Sequence, residues 1–181
     1  MAFKNSSHYN DNWITIRKLI GGADRVIRVL FLCLGNICRS PMAEAIFRGL
    51  VKEEGLSDKI EVDSAGLGHW HVGEAPHKGT REMLEKQNIS HEGMEARQFD
   101  ARDFSDLNYL IAMDDQNISG LQEIGANNDD TMVAKLMDFV DEAGEADVPD
   151  PFFTGNFDYT YELVAKGCHE LFHYIRNEND L

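Results

Sequence analysis

A nine-residue segment, CLGNICRSP at positions 33–41, joins an apolar run to a run with helical periodicity, and it constrains the fold most strongly. Residues 26–32 are almost wholly apolar and rich in β-branched side chains, as expected for a strand buried on both faces. Proline is well tolerated at the first helical position, so we expect a helix to begin at Pro41 with Ser40 as its N-cap. The segment is therefore predicted to be a tight turn from a buried strand into a helix.

Such a turn is a natural anion site, because backbone N–H groups and the positive end of the helix dipole point at one place. Cys33 begins the turn, where this field favours a nucleophilic thiolate. Arg39 adds a planar guanidinium that can hold two oxygens of a phosphate. The Cys-x5-Arg spacing lets one loop wrap a tetrahedral anion. The alternative is a buried strand-end Cys33 and an Arg39 that satisfies loop carbonyls.

The segment 33–41 resembles the active-site signature of the low-molecular-weight protein tyrosine phosphatases. The resemblance extends from about residue 26 to the C-terminal helix. It implies that Cys33 is the nucleophile and Arg39 the phosphate ligand. It also implies that the phosphate loop and its support consist of Leu34, Gly35, Asn36, Ile37, Cys38, Ser40 and Asp114. Within this set, the resemblance assigns Ser40 to a hydrogen bond with the nucleophile and Asn36 to holding the loop in shape.

Predicted strands alternate with predicted helices along the chain, which indicates an α/β fold. We expect a single doubly wound domain at residues 26–181, with a four-stranded parallel sheet and helices on both faces. Ligands of such sheets bind beyond the carboxyl ends of the strands, where Cys33 and Asp114 both fall. Residues 1–25 are predicted to be an N-terminal extension, either a short amphipathic helix packed on the domain or a partner-binding arm.

Asp150 stands between Pro149 and Pro151, which stiffen the backbone around it. Taken alone, Asp150 is typical of a turn residue in an acidic loop. The sequence Asp150-Pro151-Phe152 resembles the general-acid motif of the family, which implies that Asp150 protonates the leaving phenol oxygen. A positioned acid of this kind typically contributes about 10²–10⁴-fold in rate.

Three aromatic residues are predicted to form the slot for a phenol ring: Trp70, Phe152 and Phe153. Trp70 lies in a loop flanked by glycines, where it either packs as core or lines a pocket. Many members of the family carry a loop-supporting His where this chain has Met94. Cys38 shares the loop with Cys33 and is either a reversible disulfide partner of it or a small packing residue.

The chain has 181 residues, a formal net charge of −15 and three cysteines. The acidic excess argues against nucleic acid or an anionic membrane surface as a partner, and the resemblance implies phosphotyrosine-containing proteins instead. The few cysteines and the lack of a secretory-type segment favour the cytoplasm, although export without a readable signal stays open. Since no metal-binding or cofactor motif is present, we predict no metal and no cofactor.

Three other functions are weighed against phosphotyrosine hydrolysis. A protein arginine phosphatase of the same family would typically carry Thr in place of Ile37. A thioredoxin-coupled arsenate reductase would need further cysteines, and residues 78–110 contain none, while Cys168 lies on a predicted core stripe. The third alternative is a phosphate-binding module without catalysis, which the presence of Cys33, Arg39 and Asp150 argues against.

Overall fold

Four parallel strands form one sheet in the order β2-β1-β3-β4. The strands are β1 (Ile27–Cys33), β2 (Ile60–Gly66), β3 (Tyr109–Ala112) and β4 (Met132–Lys135). The computed structural model describes residues 26–125, 128–141 and 144–181, so the extension predicted at residues 1–25 lies outside the described residues. The parallel sheet with its helices confirms the predicted fold class.

The described part of the chain contains five α-helices. They are α1 (Arg39–Glu53), α2 (Lys78–Lys86), α3 (Asp115–Ile124), α4 (Pro151–Thr154) and α5 (Phe157–Asn179). Two short 3-10 helices cover Ala101–Ser105 and Leu136–Phe139. The predicted start of α1 was wrong, because the helix begins at Arg39 and its N-cap is Cys38 rather than Ser40. The Ser40 hydroxyl is therefore inside the first turn, where it contacts Cys33 instead of capping the helix.

Strand β1 is the centre of the sheet and separates two apolar cores. Val29, Phe31 and Cys33 point into a large core that also holds the buried faces of α1 and α5. Leu30 and Leu32 point to the other side, where residues of α3 and of the 3-10 helix at Ala101–Ser105 cover the sheet. Because both faces are buried, the strand needs apolar side chains at nearly every position. The turn after β1 therefore starts from a rigid base.

Among the helices of residues 26–125, 128–141 and 144–181, none is long and apolar enough to cross a membrane.

Gly167 allows α5 to pack closely against the 3-10 helix at Leu136–Phe139. A Cβ at Gly167 would lie 2.5 Å from Cγ of Leu136, which is fully buried and cannot move away. We expect Gly167→Ala to lower the free energy of unfolding by about 1–3 kcal/mol, although Ala is the better helix former. Gly49 in α1 is the matched control, because a Cβ added there would have nothing within 4 Å.

Gly49→Ala should raise the free energy of unfolding by up to about 1 kcal/mol through helix propensity. Urea unfolding of both variants, with the slope unchanged from the parent, measures the difference. Equal shifts of the midpoint in the two variants would contradict the close packing at Gly167.

Candidate active site

The loop between β1 and α1 is held in shape by Asn36. Its backbone has φ of 55°, a left-handed conformation that Asn tolerates better than most residues. Its side-chain oxygen accepts a hydrogen bond from the Arg97 N–H at 2.9 Å. Its amide nitrogen donates to the hydroxyl oxygens of Ser40 and Ser64 at 2.9 and 2.8 Å. Three bonds from one buried side chain thus fix the loop to α1, to β2 and to the segment after α2.

A chain of hydrogen bonds continues from this loop to a buried carboxyl group. The Ser64 hydroxyl donates to Oε2 of Glu44 at 2.6 Å. Burial raises the pKa of Glu44, although the Ser64 hydrogen bond acts in the opposite direction. The sequence interpretation missed both residues. A signal was present, because Glu44 is the one charged residue in the otherwise apolar run of residues 41–47.

Met94 does not take part in this polar network. It is buried and belongs to the large apolar core. The loop is instead supported by Ser64, whose hydroxyl links Asn36 to Glu44.

The Cys33 sulfur lies at the base of this loop, next to the Ser40 hydroxyl. Their separation is 3.0 Å. The Ser40 oxygen accepts a hydrogen bond from Asn36, and its proton can point at the sulfur or at the carbonyl oxygen of Ala65, 3.4 Å away. The carbonyl oxygens of Cys33 and Leu34 accept hydrogen bonds from the N–H groups of residues 67 and 68 at 3.0 and 2.9 Å. The two residues directly after β2 therefore hold the start of the loop in place.

Arg39 is almost fully buried and links the loop to two acidic residues. Its Nη1 donates to the Asp114 carboxylate and, at 3.0 Å, to the carbonyl oxygen of Val148. Its Nη2 donates to Oδ2 of Asp150 at 2.7 Å. Burial alone would lower the pKa of Arg39, but the charges of Cys33 and the two carboxylates outweigh it, and the pKa lies above its ordinary value. The guanidinium is therefore a permanent cation at this place.

The Nε atom of Arg39 is a buried donor for which the described residues provide no acceptor. A buried N–H without a partner is costly and rare in native proteins. The positive charge of the same guanidinium makes an anionic oxygen the natural acceptor. This atom therefore indicates an oxyanion site beside the loop.

The two carboxylates that face Arg39 are themselves fixed by helix capping. Asp114 is the N-cap of α3, and its Oδ1 accepts the Asn117 N–H at 2.7 Å. Asp150 is the N-cap of α4, with Oδ1 accepting the Phe152 N–H at 3.0 Å. In each case one oxygen caps a helix and the other meets Arg39. The direction of each carboxylate is thus set before any ligand arrives.

A pocket of about 160 Å³ opens over the loop. Its volume is close to that of an engineered cavity of about 150 Å³ that binds benzene, so one aromatic ring fits. The residues that line it are Cys33, Leu34, Gly35, Ile37, Cys38, Trp70, His71, Asp150, Phe152 and Phe153. All of them except His71 belong to the set predicted from the sequence. The remaining predicted residues, Asn36, Arg39, Ser40 and Asp114, do not line the pocket and form the hydrogen bonds described above.

His71 is the pocket residue that the sequence interpretation missed. Its ring lies close to Gly35, since a Cβ at that glycine would lie 3.2 Å from Cδ2 of His71. Its Nδ1 is 2.8 Å from Oε2 of Glu74. The position directly after Trp70 was the available signal, but one His in a glycine-flanked loop has no distinctive spacing.

Aromatic rings surround the mouth of the pocket and remain exposed to solvent. Trp70, Phe152 and Phe153 are 62%, 54% and 76% exposed. Phe152 and Phe153 are in edge contact, with ring centroids 5.4 Å apart. Three exposed aromatic rings around one pocket form an apolar patch of the kind that usually marks a binding site. They provide an apolar entrance above a polar base.

The three cysteines are all unpaired and buried. Burial raises the pKa of Cys38 to about 12, and the charges of Asp150 and Cys33 act in the same direction. Burial also raises the pKa of Cys168 far above its ordinary value, and its sulfur faces the carbonyl oxygen of Ala43 at 3.7 Å. Both groups are therefore neutral thiols near neutral pH, and Cys168 is inaccessible as a redox partner for the pocket.

Comparison with known proteins identifies the family. Residues 28–181 match the family model described as low molecular weight phosphotyrosine protein phosphatase. The low molecular weight protein-tyrosine-phosphatase YfkJ of Bacillus subtilis is 49% identical over 156 residues, which is 86% of this chain and all of that protein. PtpA of Staphylococcus epidermidis is 44% identical over 156 residues, 86% of this chain and 98% of its own. The chain therefore belongs to the low molecular weight phosphotyrosine protein phosphatase family.

Solved structures agree with this assignment. The crystal structure of YfkJ from Bacillus subtilis superposes with a TM-score of 0.83 at 48% identity, covering 87% of this chain and 99% of that one. A structure named as a Drosophila arginine phosphatase superposes with a TM-score of 0.74 at 31% identity, covering 83% and 98%. The same fold thus carries proteins named for two different phosphorylated side chains.

Asn36 provides a test of loop support. Asn36→Ala removes three hydrogen bonds and leaves a left-handed backbone without its favoured residue, so we expect kcat to fall at least tenfold and stability to fall by about 2–4 kcal/mol. Asn88→Ala is the matched control, because Asn88 has φ of 58° but is exposed. It should cost only about 1 kcal/mol and leave kcat intact. Phosphate release and urea unfolding measure both; equal effects of the two substitutions would exclude a special role for Asn36.

Selective alkylation tests the difference between the two loop cysteines. With a pKa of about 12, Cys38 is a thiol at pH 7, so iodoacetate should modify Cys33 and spare Cys38 and Cys168. Inorganic phosphate should slow the reaction by occupying the loop. Fragmentation mass spectrometry locates the label, and Cys38→Ser should take up as much label as the parent. Comparable labelling of Cys38 would show that its thiol is not held neutral.

Proposed function

We propose that this protein hydrolyses phosphotyrosine in proteins, without a metal, through a phosphocysteine intermediate on Cys33. The proposal is supported above all by the positions of Cys33 and Arg39 relative to the pocket. The Cys33 sulfur lines a pocket of the size of one aromatic ring, and a buried Arg39 behind it has an unused Nε–H donor. Sulfur, guanidinium and carboxylate are the groups that an in-line displacement at phosphorus needs.

In the first step, the Cys33 thiolate attacks phosphorus and the bond from phosphorus to the tyrosine oxygen breaks. Arg39 and the loop amides bind the non-bridging oxygens, whose charge is spread in the transition state. Asp150, as a carboxylic acid, gives its proton to the tyrosine oxygen, so that neutral tyrosine leaves. A phosphate oxygen on Nη2 of Arg39 would take the place that Asp150 occupies at 2.7 Å in this structure.

In the second step, water attacks the phosphocysteine and the sulfur–phosphorus bond breaks. The Asp150 carboxylate accepts a proton from this water, which restores the acid form. Inorganic phosphate leaves and the Cys33 thiolate is regenerated. The Ser40 hydroxyl, 3.0 Å from the sulfur, would stabilise the thiolate as leaving group.

The lining of the pocket favours tyrosine over arginine. Ile37 presents a bulky apolar side chain, and Trp70, Phe152 and Phe153 surround the entrance. An aromatic ring gains from such surfaces by burial and by ring stacking, whereas a guanidinium leaving group would need polar partners. Phosphoarginine therefore stays the second candidate, supported by the solved relative named as an arginine phosphatase.

We further propose phosphotyrosine-containing proteins as partners and the cytoplasm as the compartment. The three cysteines are unpaired, which is the usual state of thiols in a reducing compartment.

Hydrolysis of matched phosphotyrosine, phosphoserine and phosphoarginine peptides, with a chelator present, tests the function. We expect turnover of phosphotyrosine, abolished by Cys33→Ser. Asp150→Asn should lower kcat for the phosphotyrosine peptide about 10²–10⁴-fold because no proton reaches the leaving oxygen. The same substitution should cost much less with p-nitrophenyl phosphate, whose leaving group needs no proton.

Asp141→Asn is the control for charge, since Asp141 is exposed on the same acidic segment. It should leave kcat for all substrates near that of the parent. Preference for phosphoarginine would replace the assignment of substrate, and phosphate binding without turnover of any peptide would contradict an enzymatic function.

A further inference from the structure

A second cavity of about 650 Å³ adjoins the catalytic pocket. Leu34 and Trp70 line both spaces, so the two are continuous along the surface. On its far side the second cavity is lined by α3. We call it the flank groove, defined by Leu34, Leu67, Trp70, Asp115, Glu123 and Ile124. None of the steps of the proposed reaction uses it.

Exposed apolar surface is concentrated around these two spaces. Within the described ranges, eight large apolar side chains are exposed, and five of them line the pocket or the flank groove: Leu34, Trp70, Ile124, Phe152 and Phe153. Contiguous apolar surface of this kind marks a place where a partner binds. Since a phenol ring fills only the pocket, the groove is left for the chain that carries it.

Helix α3 presents a row of polar residues and the neighbouring Gly120 to the groove. Asp115, Ser119 and Glu123 follow each other at intervals of four and lie on one face. Beside them Gly120 lets the helix approach the groove floor, because a Cβ there would lie 2.6 Å from Cδ1 of Leu67. The groove is thus a packed surface with an acidic edge.

The two acidic residues of this edge differ in their charge balance. Asp115 is paired with Nζ of Lys135 at 2.8 Å, which lowers the pKa of Asp115 and offsets its charge. Glu123 has no ion-pair partner within the described residues. The edge from one to the other spans eight helical residues, about 12 Å, which an extended peptide covers with three to four residues.

We propose that the flank groove binds the residues next to phosphotyrosine in a substrate protein, in an extended conformation. It selects an apolar side chain against Leu34 and Ile124, and a Lys or Arg near Glu123. The net charge of −15 acts in the same direction, because it attracts basic segments. This inference rests on the proposed phosphatase function and adds to it the sequence class of the substrate.

Phosphotyrosine peptides with Lys, Ala or Glu at each of the four positions on either side test the groove. We expect Lys to exceed Glu in kcat/KM by about two- to fivefold at one or more positions, as for an exposed ion pair. Glu123→Gln should bring this ratio towards one. Glu170→Gln removes the same charge from an exposed position on α5 and should keep the ratio of the parent.

The apolar contacts of the groove are tested by a separate substitution. Ile124→Ser should lower the ratio of kcat/KM between peptides with Leu and with Ser in the flank, relative to the parent. A Lys preference reduced equally by Glu123→Gln and Glu170→Gln would assign it to the overall field and overturn the groove. Self-association seen by sedimentation and removed by Ile124→Ser, without any change in peptide preference, would assign the groove to a second copy of the chain and also overturn the proposal.

The two proposals fail in distinguishable ways. If the parent hydrolyses p-nitrophenyl phosphate but shows no flank preference at any position, the groove proposal is wrong and the proposed function stands. If the parent hydrolyses neither p-nitrophenyl phosphate nor any peptide, the proposed function itself is wrong.

Discussion

The buried guanidinium of Arg39 is the interaction on which the rest of the site depends. Its Nη atoms meet the Asp114 carboxylate, the Val148 carbonyl oxygen and the Asp150 carboxylate. A charge so deeply buried is tolerable only because two carboxylates and a carbonyl oxygen pair with it, since removal of one partner from a buried ion pair typically costs about 3–5 kcal/mol. In the proposed reaction, the cation that binds phosphate is thus the same group that fixes the acid.

Much of the fold follows from local patterns in the sequence. The unbroken apolar run of β1 indicates a strand covered on both faces, and the sheet does bury it between two cores. The pocket also follows from the motif, because a strand, a tight turn and a helix leave few ways to arrange Cys33 and Arg39. The role of Asp150 as the general acid could be predicted only from the resemblance to the family, because a carboxylate between two prolines is otherwise typical of an ordinary turn.

Other parts of the site depend on contacts between distant segments, which no local pattern encodes. Ser64 and Glu44 meet only because β2 and α1 pack side by side, and His71 reaches the pocket only because its loop folds back over Gly35. The start of α1 was misplaced for a related reason. The N-cap preference for Ser assumes that the hydroxyl is free, whereas here Cys33 and Asn36 occupy the Ser40 hydroxyl.

The span of the Arg39 contacts bears on how this protein is made in the cell. Arg39 and Asp150 are 111 positions apart, and Arg39 and Val148 are 109 apart. During translation Cys33 and its loop therefore leave the ribosome long before Asp150 is added to the chain. Synthesis itself delays the chemistry until the last third of the domain has folded against the first.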